Sequence, residues 1–295
     1  MAVGESLAVV SAAMPLKVEG PRLERAEGSA RVAFALRQVA GREETRLADL
    51  FQDGSAKVRL PRVYDGSGPA AVFLNSAGGV TGGDHLTFEA HFGAGAVATV
   101  TTQAAERIYR RSEGVGRIEN RLVVEAGANA RWLPQETIVF DGAGLSRRLD
   151  VELSGDARLF AVESVVLGRT AMGEEVNTVD LADHWRVRRD GRLVYADALR
   201  LRGDSRSILS GGATGRGARA FASVLLAASD AVSRLERARE LISVLSGDGI
   251  EAGASAFDGL LSIRCLALDG RRLRAIVEPL IETLTGWPLP RAWSI

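Results

Sequence analysis

Five carboxylates sit in segments whose other residues look like core. Glu163 is embedded in LFAVESVVLG, Asp197 in LVYADALRL, and Glu136 between WLP and IVF. Glu106 follows VATVTTQAA, and Asp84 closes a glycine-rich stretch, VFLNSAGGVTGGD. A buried carboxylate without a partner is costly, so each acid must be paired, hydrogen-bonded or turned toward an internal polar space. Two chemistries use such groups. A pair held roughly 5–10 Å apart can hydrolyse a glycosidic bond. Acids spaced along a cavity can instead pass a divalent cation from one to the next. Only three histidines (His85, His91, His184) and one cysteine are present, with no H-x-x-x-H or C-x-x-C spacing. Oxygen-only ligation of a borderline metal is weak, which suits a conduit rather than a store. For any one acid, simple salt bridging to arginines such as Arg107, Arg169 or Arg200 is the competing reading.

The glycine stretch is the most organised of these settings. Val72, Phe73 and Leu74 read as a buried strand, and Leu86, Phe88, Ala90 and Phe92 as the alternating strand that follows. Gly78, Gly79, Gly82 and Gly83 between them suit backbone at positive φ or in close approach to another surface. A phosphate loop would need a lysine and a hydroxyl residue opening a helix, whereas here the glycines end in Asp84 and enter a strand.

Composition narrows the function further. Lys plus Arg and Asp plus Glu number 37 each, so no net field draws the chain to nucleic acid or an anionic membrane. No apolar run is long enough to span a bilayer, and Glu5 precedes any lysine, unlike a secretion signal. With Cys265 alone among apolar neighbours, no internal disulfide can form, and a reducing cytoplasmic setting is expected. No Ser-His-Asp arrangement can be assigned.

The elements that must position these acids are short. Alternating segments recur at roughly ten-residue intervals from residue 30 to 227, broken by Gly93, Gly95, Gly114, Gly116, Gly127, Gly142, Gly144 and Gly155. Such spacing belongs to a sandwich, barrel or solenoid; no fixed-length repeat stands out. Helical stripes run from Asp230 to Leu245 and from Arg271 to Leu284, with an apolar strand, Leu260 to Leu268, between them. Pro279 should kink or split the second helix. Residues 203–217 read as one long flexible loop and 1–20 as a mobile arm. The expectation is a mainly β chain, one domain over 21–295, with two helices in its C-terminal half.

Several longer motifs sharpen the choice. LNSAGGVTGGD (74–84), TTQAAERIYR (101–110), WLPQETIVFDGA (132–143), VLGRTAMGE (166–174) and LPRAW (289–293) occur in that order. In these the chain resembles the urease accessory protein UreD, also called UreH. The resemblance implies a non-catalytic scaffold with a β-helix-like stack of strands. It implies binding to UreF, through it to the GTPase UreG, and docking on apo-urease, with no nucleic acid or membrane partner. It also implies help in delivering Ni2+, held transiently and never as a resident cofactor, through an acid-lined internal passage. By motif, Asp84 matches the acid after the glycine loop, Glu163 the acid before LGR, and Asp197 one in a later strand. Glu106 and Glu136 fall at positions that vary in type within the family. The tail from Gly286, with Trp287, Pro288, Pro290 and Trp293, is the expected apolar anchor for UreF. A carbohydrate-active hydrolase, against which an aromatic content of only 5% speaks, and a metal-independent interaction module are the other readings.

Overall fold

The computed structural model describes Met1 and residues 24–169 and 173–294. The expected arm therefore lies, Met1 apart, outside the described residues, as do Thr170–Met172 of the VLGRTAMGE motif.

Four coils build the body of the molecule, each made of one strand from either of two facing sheets. The strands of the first sheet's parallel part are β5 (His85–Phe92), β8 (Gly116–Val124), β11 (Ala143–Leu153) and β13 (Thr178–Arg189). Opposite them run β4 (Ala70–Asn75), β6 (Val97–Thr102), β9 (Asn129–Leu133) and β12 (Arg158–Leu167), also parallel. The expected mainly β, stacked architecture is what the chain adopts. A third ladder runs along one corner. There Val80, Ile108 in β7 (Glu106–Ile108), Val139 in β10 (Thr137–Val139) and Leu167 pair in turn, all at most 3% exposed. At the opposite corner Ala96, Ala128 and Ala157 stack, each just after a glycine turn. The repeat of 28 to 32 residues drifts from coil to coil, which hides it from a search for one period.

Antiparallel strands cap both ends. At one, β1 (Glu27–Val39) lies parallel to β5 and antiparallel to β2 (Arg42–Gly54), while β3 (Ala56–Arg59) closes the second sheet on β4. At the other, β14 (Arg192–Asp204) closes the first sheet. The second is extended by β15 (Ala220–Ala227), β17 (Leu260–Ala267) and the outermost β16 (Ile250–Phe257).

Because β side chains alternate, the second sheet is apolar on both faces. Leu159, Ala161, Val165 and Leu167 of β12 face the first sheet. Phe160, Val162 and Val166 face two helices, α2 (Leu235–Leu245) and α3 (Gly270–Thr285). Cys265 points to the helices at 1% exposure, and burial pushes its thiol up to about 12, the state of an inert small hydrophobe.

Three expectations change. α3 runs unsplit through Pro279; its stripe of Ile276, Val277, Leu280 and Ile281, all buried on the sheet, outweighs one lost backbone hydrogen bond. The span 203–217 is not one loop, since Ser205–Ser210 form a short helix, α1, capped by Asp204, whose carboxylate accepts from the Arg206 and Ser207 amides. The first of the two expected helices does not start at Asp230. The Asp230 carboxylate pairs with Arg158 and Arg234, and a 3-10 turn at Val232–Arg234 leads into the helix.

Candidate functional site

Between the sheets runs a polar seam where the alternation calls for apolar side chains. On the first sheet Asn120, Arg147 and Asp183 take inward positions, in phase with Leu122, Leu149 and Trp185 on their own strands. Arg147 and Asp183 are register partners. From the opposite sheet Glu163 meets them. Arg147 Nε lies 3.0 Å from Glu163 Oε2 and 3.2 Å from Asp183 Oδ1, its Nη2 lies 2.5 Å from Asp183 Oδ2, and its Nη1 donates to Thr137 Oγ1 at 2.9 Å. Asn120 Nδ2 and Trp132 Nε1 donate to Glu163 Oε1 at 3.2 and 3.1 Å. Oε2 faces the guanidinium at ion-pair distance but out of hydrogen-bond alignment, so it is a contact of charge rather than a directed bond. Burial pushes the Glu163 carboxyl upward, Arg147 pulls it back and Asp183 adds to the rise.

The seam continues toward solvent. Glu163 registers with Ser223 and Ser223 with Arg264, all on one face of the second sheet. Arg264 Nη1 donates to Ser223 Oγ at 2.6 Å, and its Nη2 pairs with Asp197 of β14. Beside them Tyr195 and Ser262 share a hydrogen bond of 3.2 Å between hydroxyls. Glu163 and Asp197 thus lie on one polar track between the sheets, each resting against an arginine.

Asp84 lies off this track. Its carboxylate accepts from the Ala26 and Thr81 amides, both at 2.8 Å, and so fastens the start of β5 to the chain entering β1. The glycines do the work expected of them. Gly83 has φ +91°, and a Cβ on Gly82 would lie 1.9 Å from the Glu113 carbonyl oxygen.

Glu106 and Glu136 lie beside each other in successive coils, the Glu106 amide donating to the Glu136 carbonyl at 2.9 Å. Each lines a cavity, of about 250 Å³ and 810 Å³, and the two cavities share Gln103, Ala104, Ala105 and Arg107. Glu136 pairs with Arg274 of α3 at 3.3 Å. Glu106 accepts from Asn75 Nδ2 at 3.2 Å, and burial pushes its pKa up to about 7. Its folded pKa exceeds the unfolded one, so the folded state holds the extra proton and stability falls as pH rises from about 4.5 to 7. Glu106→Gln is expected to flatten that slope, gaining at most about 3 kcal/mol at pH 8 and nothing near pH 4. Urea midpoints across that range measure it, and parallel pH profiles would refute it.

The tail departs from its expected role in part. Trp293 is 4% exposed and donates from Nε1 to the Leu133 carbonyl at 3.0 Å, so it anchors the tail to its own chain. Trp287 and Pro290 are half-buried and Pro288 is exposed. Trp293→Ala is expected to cost about 3–5 kcal/mol through the cavity it leaves, read as a lower thermal midpoint; an unchanged midpoint would mean the indole fills no void.

Among the described residues, no three His, Cys, Asp or Glu side chains converge as a metal cage. Sequence reasoning found Glu163 and Asp197 but missed Arg147, Asp183 and Asn120. The signal was present: in VDLADHWRV, Asp183 occupies the phase of Val179, Leu181, Trp185 and Val187.

Comparison with known proteins decides the family. The profile described as "UreD urease accessory protein" matches residues 26–294. The chain belongs to the UreD family. A UreD of Azorhizobium caulinodans is 44% identical over 275 residues, 93% of this chain and 98% of that protein. UreD of Rhizobium leguminosarum bv. viciae is 45% identical over 275 residues, 93% of this chain and 97% of the relative. UreD of a Methylobacterium is 47% identical over 276 residues, covering 93% and 96%. The UreD motifs that lie far apart in sequence meet in the fold. Gln135 of WLPQE donates to the Gln103 carbonyl of TTQAAE at 2.9 Å and to the Ala292 carbonyl of LPRAW. No helix is long and apolar enough to cross a membrane among the described residues.

Proposed function

We propose that this chain is a non-catalytic urease maturation factor that binds apo-urease together with UreF and, through it, UreG, and assists delivery of Ni2+ to the urease active site in the cytoplasm. The observation that carries the reading is the near full-length match to a family described as urease accessory proteins. Nickel is cargo here, held in passing by carboxylates.

The seam supports a route past Glu163 and Asp197. Each acid rests on an arginine, Arg147 or Arg264, so its charge is compensated while no metal is present. An arriving dication would take over that compensation by exchanging with the guanidinium, which keeps each step near neutral and the hold weak. The cavities beside Glu106 and Glu136 offer a second, more accessible stretch for the same traffic. Asp84 contributes by holding the first coil closed.

For UreF, the surface of Trp287, Pro288 and Pro290 is the proposed contact. Trp287→Ala with Pro288→Ser is expected to weaken co-purification of UreF about tenfold or more, as loss of an aromatic anchor does. Undiminished co-purification would move the contact elsewhere.

The deciding experiment measures urease activity and bound nickel after maturation with and without this chain, all other accessory proteins present. Activity that depends on the chain supports the proposal. Full activity in its absence would overturn it, and the purified chain would then be assayed for polysaccharide hydrolysis.

A further inference from the structure

A separate cavity of about 800 Å³ opens between the segment 59–67 and the tail at 288–292. That is the size of clefts that take small organic ligands. Much of its wall is apolar, from Leu60, Val63, Tyr64, Pro288 and Leu289. Its charged residues are unbalanced: Arg59, Arg62, Arg131 and Arg291 against Asp65 alone.

Arg131, on β9, is the informative one, being only 2% exposed. Its Nη2 donates to the Ser67 carbonyl, and the Trp287 ring lies 5.6 Å from the guanidinium carbon. Its Nε has no partner among the described residues. Burial pulls its pKa down to about 10, with Asp65 opposing, so it keeps its charge at neutral pH. Contrast Arg147, whose burial is answered by two carboxylates. A buried cation with no carboxylate at ion-pair distance among the described residues is costly, and its planar fork fits a carboxylate with two parallel hydrogen bonds.

We propose that this cavity binds an organic carboxylate with an apolar body, its carboxylate received by Arg131 and its body by Val63, Tyr64, Pro288 and Leu289. This assigns the chain a small-molecule site independent of the seam and of nickel.

The test titrates the full chain with 4-phenylbutyrate, with 4-phenylbutanamide (the body without the charge) and with acetate (the charge without the body), following tryptophan fluorescence and heat. 4-Phenylbutyrate is expected to bind about tenfold or more tighter than either control, the factor set by a charge-assisted hydrogen bond. Arg131→Gln should reduce it to the level of the amide. Because that change reaches into the core, Leu60→Ser with Tyr64→Ser provides a second variant at exposed positions (45% and 77%). It should weaken 4-phenylbutyrate while leaving acetate alone. Equal binding of acid and amide by the native chain, or undiminished binding in either folded variant, would overturn the proposal.

Discussion

Replacing Arg147 by methionine is expected to remove about 3–5 kcal/mol of stability, the cost of leaving buried charge unpaired. Methionine fills much of the arginine stem's volume, so the loss would come from Glu163 and Asp183 rather than from a void. Both carboxylates then face each other across the sheets with their cation gone, and Thr137 loses a donor. Against a domain stability of about 5–15 kcal/mol this is a large share. The measurement is the urea midpoint at constant slope. Two internal controls distinguish charge from packing. Adding Glu163→Gln and Asp183→Asn to Arg147→Met should recover most of the loss, because a neutral buried set carries no unpaired charge. The deficit of the single variant should also shrink as pH falls and Glu163 takes up a proton, since removing the cation takes away what pulls its folded pKa back down. A midpoint that does not move would mean that the guanidinium contributes nothing net to the fold.

Glu163→Gln combined with Asp197→Asn should lower nickel per urease by about tenfold, the lower end of what loss of one group around a metal costs, while the chain still folds and co-purifies with urease. Amides are chosen because they keep the shape. The amide oxygen introduced at position 163 would still accept from Asn120 and Trp132, Arg147 keeps Asp183, and Arg264 keeps Ser223. Only the capacity to compensate a dication is lost. Nickel is counted in the urease isolated after maturation, with the amount of co-purified accessory protein as the check on assembly. Native nickel content in urease matured by the double variant would reduce Glu163 and Asp197 to structural acids and leave the chain a scaffold without a conduit.

Much of the fold was legible because its strands obey a period of two and end at glycines. The strand read over Leu260–Leu268 is β17 to within one residue, and the two later helices lie within a few residues of their expected ends. Two edge strands escaped. β2, REETRLADLFQDG, is exposed along almost its whole length and carries no alternation to detect. β16, IEAGASAF, lies at a sheet edge and alternates with small residues. Of the site, the acids were conspicuous against apolar neighbours, whereas Arg147 and Asp183 were disguised by other charged residues around them in SRRLD and DLADH. What no local pattern could supply is the pairing of one sheet's arginine with the other sheet's glutamate, 16 residues away in sequence and across the core in space.

The stacking of the coils has a consequence for how the molecule assembles. Each coil buries its edges only on the coil before and the coil after, so order can spread along the stack like a zipper once one neighbouring pair has formed. Parallel pairings such as β1 on β5 bring together residues nearly 60 positions apart, so nucleation is slow and propagation is fast. Protection against amide hydrogen exchange should then be graded, greatest at β9 and β12 in the middle and least in the β2 ribbon, which would detach first as a unit. A cell making this chain faces a vulnerable interval before the middle coils close, in which the open strand edges of half-built sheets are available to other chains.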